Sequence, residues 1–217
     1  MASTPPTDRP GLSRPAICAA ALALIDARGV AALSIRALAA QMGTRPMSLY
    51  RHVDDKDDIL DGVVALLLDE TPRPPGGGSW RAGMRAWALG YRAVLARHPA
   101  VVPLLATRAA TSYATGRERV EEALTMLERS GMSPADAALV LRAMARFVVG
   151  FSLAGAGAPP AADPPAAAGL REAGLPRLAR LVEGMAGDPD DDALFALSLD
   201  ALLDGLERRV APHARGS

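Results

Sequence analysis

The chain has little that would staple it, span a bilayer or charge it globally. One cysteine, Cys18, in 217 residues excludes an intrachain disulfide and fits a reducing compartment. No apolar run approaches the roughly 18 residues of a membrane span. The N-terminal MASTPPTDRPGLSRP has no apolar stretch before Ala16 and does not read as a signal peptide. A cytoplasmic protein with no membrane partner is expected. Net charge is zero, with 24 basic and 24 acidic residues, so any affinity for nucleic acid must come from a local patch. Lys56 is the one lysine; every other basic residue is arginine. The histidines, His52, His98 and His213, have no metal-ligand spacing, and there is no P-loop and no G-x-G-x-x-G. Neither a metal nor a cofactor is expected.

Beta-branched residues are scarce and no segment alternates, so the reading is all-α. Residues 1–12 read as a disordered tail. Ser13 and Pro15 open a first helix that stops near Gly29. Ser34 caps a second, which ends at Gly43; a third runs from about Thr44–Pro46 to Val53; a fourth starts at Asp54 or Asp55. PRPPGGGS at 72–79 breaks the chain and places a domain boundary, giving a head at 13–71 and a second domain at 79–210. Further helices are predicted at roughly 79–97, 100–107, 112–130, 134–153, 177–186 and 190–210. The proline- and glycine-rich 154–176 reads as a mobile, lid-like connection, because structureless stretches beyond about 12–15 residues are uncommon inside a compact domain.

Residues 34–56 join two short helices through a glycine, the sequence form of a helix-turn-helix. Leu38, Met42, Leu49 and Val53 share an inward face; Met47, Ser48, Arg51 and His52 point outward, with Tyr50 at the flank. No acid lies between Asp26 and Asp54, whereas Arg36, Arg45 and Arg51 do. That gap suits a phosphate backbone, which a carboxylate would repel. From periodicity alone, a surface helical hairpin with a chance charge gap fits as well.

The stretch LSIRALAAQMGTRPMSLYRHVDDKDDIL resembles the DNA-binding segment of the tetracycline-repressor (TetR) family. The matching positions are Ser34, Leu38, Ala39, Gly43, Leu49, Tyr50, His52 and Lys56. A Trp-initiated helix after the linker, the Thr107–Arg108 pair and LFALSLDALLDGLERRV at 194–210 resemble that repressor's C-terminal domain. The resemblance implies a three-helix DNA-binding head and a helical ligand-binding and dimerisation domain. It puts Arg36 on backbone or base edges and sends Thr44, Arg45, Pro46, Met47 and Ser48 into the major groove of a double-stranded operator. Arg51, with Arg45, could fork onto a guanine. Tyr50, His52 and Lys56 would hold phosphates. Arg45 departs from a position where the family often has a small hydroxyl residue, which puts the local N-cap in doubt. The following acids read as caps: Asp54 or Asp55 at the N-cap, with Asp57 and Asp58 on the positive end of the macrodipole.

Trp80, Met84, Trp87, Tyr91 and Leu95 make one helical stripe; Met144, Phe147 and Phe151 make another. Core packing accounts for either stripe. By the resemblance they also wall a cavity for a small apolar or aromatic effector, lined by Met84, Trp87, Leu104, Met144, Phe147 and Phe151, with Tyr91, Thr107 and Arg108 as polar groups. The tetracycline repressor's magnesium–drug ligands fall on Pro72, Ala86 and Leu104 in an ungapped alignment, so that complex is not expected here. The 190–210 helix is apolar on more than one side and must be buried twice. The resemblance supplies a homodimer as the second cover, with Phe195, Leu199, Leu202 and Leu206 at the interface.

The sequence leaves two rivals. GFSLA at 150–154 brushes against a nucleophile elbow with Ser152 as a serine hydrolase's nucleophile, but that elbow needs a strand before it. A dimeric small-molecule-binding protein with a degenerate head is the other; the intact 34–56 pattern argues against it. The expectation is a ligand-responsive repressor, not an enzyme.

Overall fold

A computed structural model of the chain describes residues 12–73, 78–107, 114–156, 164–187 and 191–210. Among them are eleven α-helices and no strand. The first, α1 (Arg14–Arg28), starts where the Ser13 hydroxyl accepts from the Ala16 N–H and Pro15 fills the first turn; it ends at Gly29, whose φ of 77° suits a residue without Cβ. Ser34 caps α2 (Ile35–Gln41) in the same way, accepting from Ala37 N–H at 3.1 Å. Then α3 (Pro46–Leu49) follows Gly43, the left-handed residue of the turn (φ 64°). It closes sooner than the periodicity suggested. After Leu49 the chain tightens, with the His52 and Val53 N–H groups both donating to the Leu49 carbonyl.

Helix α4 (Lys56–Glu70) is tied at its start to α1. Asp55 is its N-cap, accepting from Asp58 N–H at 2.8 Å. Asp58 does more than complement a dipole: it accepts from Asp54 N–H at 3.1 Å and pairs with Arg14 on α1 at 2.5 Å. The Arg14 guanidinium thereby holds the Asp58 carboxyl below the usual carboxylate range, against the opposing effect of burial. Midway along the same contact, a Cβ on Gly62 would run into Cys18 Sγ, so the two helices touch at van der Waals distance.

The second bundle comprises α5 (Trp80–Arg97), α6 (Val102–Thr107), α7 (Ala114–Arg129), α8 (Pro134–Ala156), α9 (Pro164–Glu172), α10 (Pro176–Gly187) and α11 (Asp191–Val210). One apolar core runs from Ile17 and Ile25 in the head through Leu67 on α4 to Met84, Leu95, Met144, Phe195 and Leu203. Arg81 and Arg85 of α5 pair with Asp204 and Asp200 of α11 at 2.7 and 2.9 Å, and Arg92 pairs with Asp192 further along. At the junction with the head, His98 Nδ1 lies 2.8 Å from Asp26 of α1 and Arg97 meets Glu70 of α4 at 2.6 Å.

The expected long connection over 154–176 is corrected. Helix α8 continues to Ala156, and Pro164–Glu172 forms α9, which packs as a hairpin on α10. Prolines that read as loop signals stand in the first turn of α9, where the missing N–H costs nothing, and an alanine run follows. Over Pro134–Gly155, α8 is long and apolar enough to cross a membrane by length and composition. Its Ala137, Val140, Met144 and Val148 face the core, while the opposite side carries Leu139, Arg142, Arg146, Gly150 and Leu153.

Candidate functional site

The head presents a continuous polar and basic surface. Leu38, Ala39, Leu49 and Val53 are buried and Met42 is half-buried, which orients α2 and α3 as the periodicity required. Arg36, Arg45, Pro46, Met47, Tyr50, Arg51, His52 and Lys56 are consequently exposed, with Thr44 and Ser48 half-buried beside them. Met47 is 74% exposed. Among the described residues no carboxylate pairs with Arg36, Arg45, Arg51 or Lys56, whereas Arg14, Arg73, Arg81, Arg85, Arg97, Arg119 and Arg171 are all ion-paired. Arg45 stands at the N-cap of α3 without making a side-chain cap bond, so Pro46 alone starts that helix.

In the second bundle, a cleft of about 1060 Å³ opens between the end of α4, the start of α5 and α7. Met84 and Trp87 line it, as expected. The other expected pocket residues do not join them there. Phe151 lines a separate cleft of about 680 Å³ with Arg92, Val102 and Ser152. Tyr91, Leu104 and Met144 are buried in the core, Tyr91 with its ring 5.2 Å from Trp87. Phe147 stacks on Phe195 at 5.2 Å, Thr107 donates to the Leu104 carbonyl within its own helix, and Arg108 lies outside the described residues. The larger cleft is instead completed by Leu68, Arg73, Trp80, Arg119, Glu122 and Met126. The α7 contributors escaped the sequence reading because charged residues on an amphipathic helix look like an ordinary solvated face.

Of the expected interface residues, Phe195, Leu199 and Leu206 are buried within a single chain, Phe195 against Phe147 and Phe151, whereas Leu202 is half-buried. The α11 stripe left open is Leu194, Leu197, Ala201 and Gly205, with Leu197 70% exposed. Ser152 lies inside α8, with no strand before it and its hydroxyl buried, which is not the turn a nucleophile elbow needs.

Comparison with known proteins agrees with this geometry. Residues 17–63 match the family of bacterial regulatory proteins called the tetR family, and residues 71–210 match the tetracyclin repressor-like C-terminal domain. The HTH-type transcriptional repressor DrrR1 of Streptomyces coeruleorubidus is 31% identical over 223 residues, covering 94% of this chain and 80% of the relative. The class D tetracycline repressor protein of Escherichia coli is 29% identical over 202 residues, covering 90% of this chain and 89% of its own length. Among solved structures, ActR of Streptomyces coelicolor in complex with (S)-DNPA superposes with a TM-score of 0.77 at 26% identity, covering 93% of this chain and all of that one. The chain therefore belongs to the tetR family of bacterial regulatory proteins and is a transcriptional regulator with a tetracycline-repressor-like C-terminal domain.

Proposed function

We propose that the protein is a homodimeric, cytoplasmic repressor that reads a pseudo-palindromic operator and is released by a small apolar or aromatic effector. The observation that carries the reading is the acid-free exposed face of α2 and α3, whose cations have no carboxylate partner among the described residues. On that face Thr44, Arg45, Pro46, Met47 and Ser48 enter the major groove, and Arg51 adds a fork for a guanine edge. Arg36, Tyr50, His52 and Lys56 hold the flanking backbone. One turn of helix reads few bases, so two heads about 34–36 Å apart on a two-fold axis supply the remaining specificity.

The second copy covers the open stripe of α11, Leu194, Leu197, Ala201 and Gly205, together with Leu139, Gly150 and Leu153 of α8. Both glycines have open space where a Cβ would stand, which lets helix backbones approach closely. The effector occupies the cleft between α4, α5 and α7, against Trp80, Met84, Trp87 and Met126. That ActR has been solved with (S)-DNPA and with actinorhodin supports a small-molecule effector of this kind.

Footprinting on DNA flanking the protein's own gene, with and without a compound panel, tests the proposal. A protected pseudo-palindrome that is lost with one of the compounds is expected; absence of any protected site overturns it. Combined Tyr50→Ala and Lys56→Ala should abolish operator binding and leave the dimer intact in analytical ultracentrifugation. Lys56→Ala alone should lower the slope of log affinity against log salt by about one, as expected for a phosphate contact.

A further inference from the structure

The C-terminus of α4 has no cation of its own in its last turn, yet its carbonyls are not left bare. Thr71 Oγ1 donates to the Leu67 carbonyl at 2.9 Å, and the Thr71 N–H to the Leu68 carbonyl at 3.2 Å. The rest comes from α7. Arg119 donates to the Leu68 carbonyl from Nε at 3.3 Å and from Nη2 at 3.1 Å, and Nη2 also reaches the Thr71 carbonyl. A guanidinium therefore stands on the negative end of the α4 macrodipole, with its side chain only 14% exposed. Its Nη1 contacts Glu122 at 3.4 Å, and Glu122 is held by two 3.1 Å bonds from Arg73, just beyond the helix end. One guanidinium and one bridging carboxylate thus fasten α4 to α7.

All four of these groups, Leu68, Arg73, Arg119 and Glu122, line the larger cleft, with Trp80 and Trp87 also in its wall. Indoles and forked cations in one cleft match an aromatic acid, its ring against tryptophan and its carboxylate on a guanidinium. The Nε–Nη2 edge of Arg119 that such a carboxylate would take already serves a neutral carbonyl, and a charged acceptor competes for it favourably.

We infer that Arg119 is the specificity and coupling residue of the effector cleft: an aromatic acid takes its guanidinium from the C-terminus of α4 and loosens the helix whose other end carries Lys56. This rests on the cleft being the effector site. Arg119 belongs to no ligand set read from the sequence, and its role follows from its place between the cleft and the end of α4. The ligand shifts the equilibrium because it binds better where the α4 carbonyls are released.

The chain's two tryptophans both line the cleft, so quenching of their fluorescence reports its occupancy. The full-length protein is titrated by calorimetry and fluorescence with matched pairs: benzoate and benzamide, 2-naphthoate and 2-naphthamide, 9-anthracenecarboxylate and its carboxamide. For at least one ring size, the carboxylate should bind about tenfold tighter than the amide, the scale of one charge-assisted hydrogen bond. In Arg119→Gln that preference should collapse while the amide binds as before. Hydrogen exchange at residues 68–73 should quicken in the wild type with carboxylate and in unliganded Arg119→Gln, with no further change when carboxylate is added to the variant. A preference that survives Arg119→Gln, or exchange at 68–73 that neither ligand nor variant alters, overturns the inference while leaving the cleft. Silence of both tryptophans to every probe removes the effector cleft, and the inference with it. Should the Gln variant fail to fold, Arg119→Lys keeps the charge and loses the fork; an undiminished preference there also overturns the assignment.

Discussion

Asp58 shows how much one side chain can settle. Its backbone N–H donates to the Asp55 carboxylate in the first turn of α4, while its own carboxylate accepts the Asp54 N–H and meets Arg14 across the α1–α4 contact. Its folded pKa is depressed, chiefly by the hydrogen bond from Arg14. The sign follows: its contribution to stability is fully present above the ordinary carboxylate range and is lost as pH falls through the depressed folded value. Asp58→Asn should therefore lower stability at neutral pH by about 1 kcal/mol, a charge-assisted bond discounted for partial exposure. In urea melts across the pH range, the gap between wild type and variant should close on the acid side. A gap of constant size at all pH values would mean that the carboxylate's charge contributes nothing. The proposed recognition face works at the same scale by opposite means. There no carboxylate among the described residues pairs with Arg36, Arg45, Arg51 or Lys56, which leaves their charge for the proposed phosphate contacts.

At the scale of elements, the α1–α4 contact decides how the head is carried. Gly62 sits in the interior of α4, where alanine would ordinarily add about 0.5–1 kcal/mol by reducing backbone freedom. Here the sign reverses, because the new Cβ would collide with Cys18 Sγ, a short and buried side chain. Gly62→Ala should destabilise by about 1–3 kcal/mol, the range for overpacking. Cys18→Ala in the same chain should restore most of the loss, and thermal melts of the two single variants and the double variant measure that coupling. Local signals made the elements of the head legible in the sequence: Ser13, Ser34 and one of Asp54 and Asp55 as caps, Gly29 and Gly43 as stops. What the sequence left unread depends on neighbours. No periodicity separates a solvated arginine from Arg119, which caps a helix some fifty residues earlier. In α9, proline and alanine density pointed to loop, whereas the prolines stand in the first turn of the helix, where the missing N–H costs nothing. Of the aromatic stripes, Tyr91 and Met144 lie in the core and Trp80 in the cleft. Facing inward does not distinguish a core from a cavity.

At the scale of the whole molecule, α11 shows the difference between needing two covers and knowing which face each one takes. Its composition requires burial on two sides. Phe195, Leu199, Leu203 and Leu206 fill the intrachain side, packed with α5 and the Phe147–Phe151 cluster, and the Asp192, Asp200 and Asp204 pairs with α5 arginines lock that orientation. Leu194, Leu197, Ala201 and Gly205 then stand on the opposite side of the same helix. The two faces make contrasting predictions. Phe195→Ala removes a fully buried ring and should cost about 3–5 kcal/mol, seen as a lower melting temperature whatever the oligomeric state. Leu197→Glu should instead yield a folded monomer by sedimentation, since a carboxylate on a two-fold interface meets its own copy. That monomer carries an intact recognition face, yet it should bind operator DNA at least tenfold more weakly at physiological salt, because each head alone neutralises only half the phosphates. A Leu197→Glu protein that stays dimeric would place the two-fold axis elsewhere. One that is monomeric but binds with wild-type affinity would mean that a single head suffices.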